Sequence, residues 1–397
     1  MILVYDLLIV GGGIAGSTLA RVMAREGARV LVLEREEHFR DRIRGEGIHV
    51  WGTVDARELG VYDALRGQCL HELPYIRRYR HGAVAVQRDL AQSTPSGNYE
   101  MTFFHPAMQE VLLEAAKEAG VEVWRGAVVS GVCPGDEPAV TVRHDGEVRR
   151  LTARLVVGAD GRRSQVRNWA GFVTQRDPDN LLIAGVVVSG LPATDDALET
   201  FSRGAAWNMQ FLPLGAGQYR CYFVSGDRAR HRPIGGRAGL ARLGDYARDS
   251  AVPAAWLDAM RVEGPLASFE AASWWVDNPY RDGVALIGDA AAAPDPCFGC
   301  GLSMALRDVR LLRDELLAQS DWDRAARRYA AAHDSTFVAL HALERWAAEG
   351  FFSVDPERQH IRDHADAAAD RGEAPDLIGR GPDQPVDEAV RLRFLGY

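Results

Sequence analysis

The segment Gly11-Gly-Gly13-Ile-Ala-Gly16 constrains the fold of this chain more than any other. It follows an apolar run over residues 2–10 that reads as a buried parallel strand, and it opens a helix over residues 17–26 with apolar positions at helical spacing. Gly27 ends that helix, and residues 28–33 form a second strand that closes on Glu34. Glycines are needed at the turn because the backbone must bend sharply and approach a pyrophosphate, whose charge rests on the N-terminus of the next helix. Glu34, 18 residues after Gly16, stands where a carboxylate accepts hydrogen bonds from an adenosine ribose. This βαβ context predicts an α/β fold built on a Rossmann-like dinucleotide-binding domain. It does not separate NAD from FAD.

Two later segments narrow the ligand. In Val156-Val-Gly158-Ala-Asp160-Gly161-Arg162-Arg163-Ser164, a strand ends in Asp-Gly and arginines follow near a helix start. Such an arrangement gathers an acid, backbone amides and cations around a phosphate-rich cofactor. In Val284-Ala-Leu-Ile-Gly288-Asp289-Ala290-Ala291, followed by Pro296-Cys-Phe-Gly299-Cys-Gly301-Leu302, a short buried strand ends in Gly-Asp and a glycine-bearing loop opens a helix. An aspartate so placed can hold a polyol chain while backbone N–H groups face a ring edge, which is the shape of a flavin site.

With the three segments in this order, the chain resembles the class A FAD-dependent monooxygenases, the family of para-hydroxybenzoate hydroxylase. The resemblance covers the flavin-binding segments well and the middle of the chain in outline. It implies that Glu34 binds the adenosine ribose and Asp289, after Gly288, the ribityl chain, while Pro296, Gly299, Gly301 and Leu302 line the isoalloxazine. Asp160 and Gly161 would serve both FAD and NAD(P)H. Arg42-Ile-Arg44-Gly45 resembles the family's Arg-Ile-Arg segment, which puts Arg44 near the pyrophosphate. Gly11, Gly13, Ile14, Ala15, Gly16, Arg35, His105 and Val129 complete the implied cofactor-binding set. Three positions depart from the family pattern: Ala292 where a His is usual, Ser303 where an Asn is common, and His105 where an Arg or Gln normally touches FAD.

The implied reaction is the hydroxylation or epoxidation of an apolar or aromatic small molecule, of the kind met in secondary metabolism. NAD(P)H reduces FAD, O₂ adds to give a C4a-hydroperoxide, and one oxygen passes to the substrate. The cofactor carries the hard chemistry, so the protein's task is to position the substrate and exclude water. No catalytic side chain is identified. Trp207-Asn-Met-Gln-Phe-Leu-Pro213 resembles the strand that faces the flavin, which makes Trp207, Met209 and Phe211 substrate-binding candidates together with Trp275, with Trp51 and Trp274 as further aromatics. A separate flavin reductase is the alternative source of electrons.

Three other readings stand beside this one. A reductase or dehydrogenase of the geranylgeranyl-reductase type shares the outline without oxygen transfer, and a regulatory protein could hold FAD without turnover. A flavin-dependent halogenase needs a lysine near its substrate, and the single lysine, Lys117, lies on a helix of the flavin domain. Cys297-Phe-Gly-Cys300 lacks a thioredoxin-like context, so its cysteines read as fillings of variable loop positions.

Along the chain, residues 1–175 and 277–320 read as a discontinuous FAD-binding domain, residues 176–276 as an inserted β-sheet-rich substrate domain, and residues 321–397 as a helical C-terminal region. A long helix is expected over 322–349, and the tail from 355 is expected to wrap the surface. Further elements are a helix near Thr53, a helix over 106–119, a strand over 121–129 and a hairpin turning at His144-Asp145-Gly146. A net charge of −9 argues against nucleic-acid or anionic-membrane partners, which want a basic face. No apolar run reaches the roughly 18–20 residues of a membrane span. Five scattered cysteines and no basic leader predict a cytoplasmic protein. His49, His71 and His81 have no companion at ligand spacing, so no metal site is expected.

Overall fold

The computed structural model of the chain describes residues 5–43, 45–178, 181–203 and 206–397. Its first layer is a sheet in which Tyr5–Val10 pairs in parallel with Val30–Glu34 on one side and Glu147–Gly158 on the other. Glu122–Arg125 and Val284–Leu286 extend the parallel set, and Tyr280–Arg281 closes one edge antiparallel. Leu7, Leu8 and Ile9 are fully buried, because helices and the hairpin layer cover both faces. That is why these strands are continuous apolar runs, and each such side chain contributes on the order of 1.5–3 kcal/mol by leaving water.

The helix after the glycine turn runs Ile14–Arg25, three residues earlier than the apolar spacing suggests, because Gly13 is already its extended N-cap. The strand expected over 121–129 is broken by Gly126 at φ +69 into Glu122–Arg125 and Val128–Cys133. The second piece leaves the parallel sheet and pairs with Ala139–His144. Asp145 and Gly146 both have positive φ, which suits the two-residue hairpin that joins Ala139–His144 to Glu147–Gly158.

The second sheet contains Leu181–Ser189, Gln218–Ser225, Trp207–Gly215 and Ala197–Ser202. It also takes in Tyr75–Arg80 and Ala83–Asp89, a segment that sequence reasoning left in the FAD-binding domain. Ala197–Ser202 would otherwise be an open edge, and Tyr75–Arg80 satisfies it by parallel pairing across six residue pairs. The second sheet therefore draws on residues 75–89 as well as the 176–276 stretch. Helices Gly236–Asp249 and Ala254–Ala259 pack on its far face over Phe201, Phe211 and Phe223, with Trp256 of the second helix edge-on to Phe201 and Phe211.

Helices Gly301–Ala318 and Trp322–Phe352 lead out of the flavin loop. The tail then differs from the expected surface wrapping. Asp376 takes a bidentate pair from Arg88 at 2.8 and 2.7 Å, and Asp383 takes one from Arg307 at 2.9 and 2.7 Å. The Trp51 indole N–H also donates to the Leu377 carbonyl at 3.0 Å. These anchors come from separate parts of the fold and draw residues 374–384 inward as a strap. Among the described residues, no helix is long and apolar enough to cross a membrane, and no His, Cys, Asp and Glu cluster is placed to hold a metal.

Candidate active site

Residues of the second sheet, of the loops that leave the first sheet and of the strap line one cavity of about 1300 Å³, and a hollow of about 210 Å³ continues from it along the glycine turn. A single small ligand usually occupies roughly 300–1,000 Å³. The space suits a cofactor and a second molecule together.

One end of the site is built by the glycine turn. A Cβ on Gly16 would fall 2.0 Å from the Gly11 carbonyl oxygen, and Gly11 has φ +106 with its own absent Cβ 2.4 Å from the Ala159 carbonyl oxygen. Only glycine permits this approach, which leaves the backbone open to a phosphate at the start of Ile14–Arg25. Gly13, Ile14 and Ala15 face the large cavity; Gly11, Glu34 and Val129 face the smaller hollow; Gly16 lies behind the turn. The Glu34 carboxylate is fixed by the N–H of Gly12 at 2.7 Å and of Glu36 at 2.8 Å. Its remaining lone pairs can accept ribose hydroxyls. Arg35 is exposed at the rim, while Arg44 lies outside the described residues.

Asp160 and Gly161 line both spaces. The Asp160 carboxylate accepts from the Ser164 hydroxyl at 2.5 Å and the Gln165 N–H at 2.7 Å, so it caps the helix Gln165–Trp169. Gly288 stands at φ +57 and donates its N–H to Asp308 at 2.8 Å, while His333 holds the other Asp308 oxygen at 2.7 Å. That buried pair, not foreseen from sequence, sets the turn that carries Asp289 to the cavity wall.

Pro296, Gly299, Gly301 and Leu302 line the same cavity, where Gly299 at φ +71 leads to the N-terminus of Gly301–Ala318. The Asp295 side chain caps the turn at Cys297 N–H, 2.9 Å away, and its own N–H donates to Glu344 at 3.1 Å. Glu344 is fully enclosed behind the loop, and burial pushes its carboxyl well above the ordinary range, with Asp295 adding to the effect. His49 braces the other side, with Nε2 2.8 Å from the Phe298 carbonyl oxygen. Ser303 has a local reason for its small size: a Cβ on Gly52 would already fall 2.5 Å from the Ser303 Cβ, so the helix Val50–Glu58 leaves no room for more. Cys297 and Cys300 are free thiols in separate apolar clusters, and burial pushes both well above their ordinary titration range. A reactive dithiol requires the opposite environment.

The substrate side needs correcting in three places. Met209 and Phe211 lie on Trp207–Gly215, but their side chains enter the core under Trp256 and Phe201. Strand alternation turns Asn208, Gln210 and Leu212 to the cavity instead. Trp275 packs on Phe337 and His341, while its neighbour Trp274 faces the cavity for the same reason. Trp207 does line the cavity, and its indole N–H is buried without a hydrogen-bond partner among the described residues. Trp51 supports the strap rather than the cavity. Lys117 pairs with Glu114 at 3.0 Å on an exposed helix face and has no part in the lining.

His105 reaches the wall through Nδ1 at 2.6 Å from the Gly45 carbonyl oxygen. Beside it, Glu46 and Arg220 form an ion pair with no solvent exposure, Nε to Oε2 2.6 Å and Nη2 to Oε1 2.7 Å, and Arg220 also reaches Asp41 at 2.9 Å. Burial pushes the Glu46 carboxyl up against the pull of Arg220, while its carboxylate partners hold Arg220 firmly protonated. The pair joins the loop before Gly47–Ile48 to the substrate sheet.

The glycine cradle, the Glu34 carboxylate and the Gly299–Gly301 backbone fit FAD as a group. The FAD binding domain family matches residues 4–335. The chain is 28% identical to a rifampicin monooxygenase of Streptomyces venezuelae over 369 residues, 90% of this chain and 74% of the relative. It is 27% identical to digeranylgeranylglycerophospholipid reductase 1 of Methanococcoides burtonii over 365 residues, 89% of this chain and 85% of the relative. The crystal structure of p-nitrophenol 4-monooxygenase from Pseudomonas putida shares the fold at TM-score 0.80, with 21% identity and 95% of both chains covered. The chain belongs to the class A FAD-dependent monooxygenase family.

Proposed function

We propose that the chain hydroxylates a sizeable aromatic molecule bearing polar oxygens, seated between the bound FAD and the second sheet. The observation that carries this reading is the mixed wall of the cavity. Leu212, Phe269 and Trp274 offer apolar surface, while Asn208 and Gln210 offer hydrogen bonds. The relative named for rifampicin supports a substrate of this kind.

In this reading the glycine turn and Glu34 hold the adenosine half of FAD, Asp289 the ribityl chain, and the Gly299–Gly301 backbone the ring edge. When bound, FAD moves electrons from NAD(P)H to O₂ and passes one oxygen on. The chain's residues place the substrate and keep water out, and the strap at 374–384 closes the cavity for that purpose. Five free cysteines suit a reducing compartment, in line with a cytoplasmic location.

The decisive assay gives holoprotein NADH or NADPH and a panel of phenols and polycyclic aromatics, and follows both nicotinamide loss and peroxide. Consumption stimulated by one aromatic, with little peroxide, is expected. Substrate reduction that proceeds equally without O₂ would replace this reading with double-bond reduction, which the likeness to the archaeal reductase favours as the second reading. Asp289→Ala is expected to be purified without flavin and to bind added FAD at least about tenfold more weakly, the effect of one lost charged hydrogen bond worth roughly 1.5–3 kcal/mol. Stoichiometric flavin in that variant would remove Asp289 from the ribityl site.

A further inference from the structure

We infer that His49 is held as an imidazolium in the wall of the cofactor cavity, where its charge favours the reduced, anionic form of the bound flavin. The inference rests on FAD occupying this cavity and on the hydrogen bonding of one ring. Nδ1 lies 3.0 Å from Glu100 Oε1, and Nε2 lies 2.8 Å from the Phe298 carbonyl oxygen. A carbonyl oxygen and an ionised carboxylate can only accept. A neutral imidazole has a single N–H, so one contact would set a lone pair against a lone pair. Only the doubly protonated ring donates to both.

The surroundings agree. Burial disfavours a charged ring, but the Glu100 carboxylate opposes it and Asp376 on the strap adds to that pull, so the ring retains its proton above the ordinary histidine value. Glu100 is itself almost fully buried, and its Oε2 has no hydrogen-bond partner among the described residues. The carboxylate therefore depends on His49 for its charge balance. The residue is also fixed in place: its backbone N–H donates to the Ser303 hydroxyl at 2.9 Å, and a Cβ on Gly299 would meet the ring Nε2 at 3.1 Å. The cation thus lies directly against the crest of the flavin loop, with Phe298 and Gly299 beside it in the cavity lining. A fixed positive charge in a low-dielectric wall stabilises the form of the cofactor that gains negative charge.

The test compares wild-type and His49→Gln holoprotein for the affinity of oxidised FAD and, anaerobically, for the two-electron midpoint potential. The variant is expected to bind oxidised FAD nearly as well, while losing about tenfold in the preference for reduced over oxidised flavin. For a two-electron couple that is a fall of about 30 mV. A readout independent of flavin is the ¹⁵N spectrum of the wild-type apoprotein at a pH just above the ordinary histidine value of roughly 6.5. Both His49 nitrogens should be protonated there. A singly protonated ring in that spectrum overturns the inference, even if His49→Gln fails to retain FAD. An unchanged potential in a flavin-loaded His49→Gln protein overturns it equally.

Discussion

Arg220→Ala is expected to lower the free energy of unfolding by about 3–5 kcal/mol, the usual effect of stripping one partner from a buried ion pair. Arg220 has no solvent exposure and makes three close contacts, two with Glu46 and one with Asp41. Without the guanidinium, Glu46 stays enclosed between the loop at 45–46 and the strand Gln218–Ser225, where water cannot replace the lost donors. Asp41 is partly exposed and can turn to solvent, so Glu46 dominates the penalty. The pH dependence has a definite sign. Burial already holds the Glu46 carboxyl above its unfolded value, and losing Arg220 raises it further. A carboxyl raised in the folded state destabilises it wherever the unfolded chain would ionise. The deficit of the variant is therefore largest at neutral pH, shrinks as pH falls through the folded value, and vanishes below the ordinary carboxyl range. Replacing both partners, as in Arg220→Met with Glu46→Leu, should recover most of the stability, because removing the whole pair removes the uncompensated charge. Urea denaturation of the apoproteins across pH measures all three. A double variant no more stable than Arg220→Ala would show that the loss comes from packing and not from charge.

The parts of this site legible in the sequence are those whose requirements are local. Gly11 and Gly16 answer to contacts within one turn, and Gly288, Asp289 and Gly299 to Gly301 to a short loop, so residue type and spacing reveal them. The strand at 207–213 was legible too, but it was misread. Asn208 and Gln210 alternate with Met209 and Phe211, and an apolar face belongs to the core even when its aromatics look suited to a ligand. Taking the aromatics for substrate contacts reversed the strand. Long-range pairings leave no local mark. Glu46 and Arg220 are 174 positions apart, and His49 and Phe298 are 249 apart. The strap shows the same limit: Asp376 and Asp383 read as solvated charges until Arg88 and Arg307 are seen to reach them.

Gly16→Ala should break the cofactor site through the fold, and Gly13→Ala should not, although both glycines belong to one fingerprint. At Gly16 a methyl group would stand 2.0 Å from the Gly11 carbonyl oxygen and 3.2 Å from the Ala159 Cβ. The first of these is backbone, so no side chain can swing aside; the helix Ile14–Arg25 must back away from the turn. At Gly13 the nearest atom is the Gln109 amide nitrogen at 3.8 Å, an ordinary contact, and φ is −74, which alanine adopts freely. Alanine within a helix would by itself gain about 1 kcal/mol over glycine, while overpacking costs about 1–3 kcal/mol or more. Any net loss at Gly16 therefore measures the clash, and the upper end of that range is expected because backbone must move. Shifting the helix start also takes its N–H groups away from the pyrophosphate, so FAD affinity should fall at least about a hundredfold, the loss of roughly 2.7 kcal/mol of charge-assisted bonding. Gly13→Ala should keep wild-type apoprotein stability and weaken FAD alone, since its methyl would project where the cofactor passes. Denaturation of the two apoproteins and FAD titration separate the cases. Wild-type apoprotein stability in Gly16→Ala would mean the turn yields without cost, and the glycine would then be required by the ligand and not by the packing of helix on strand.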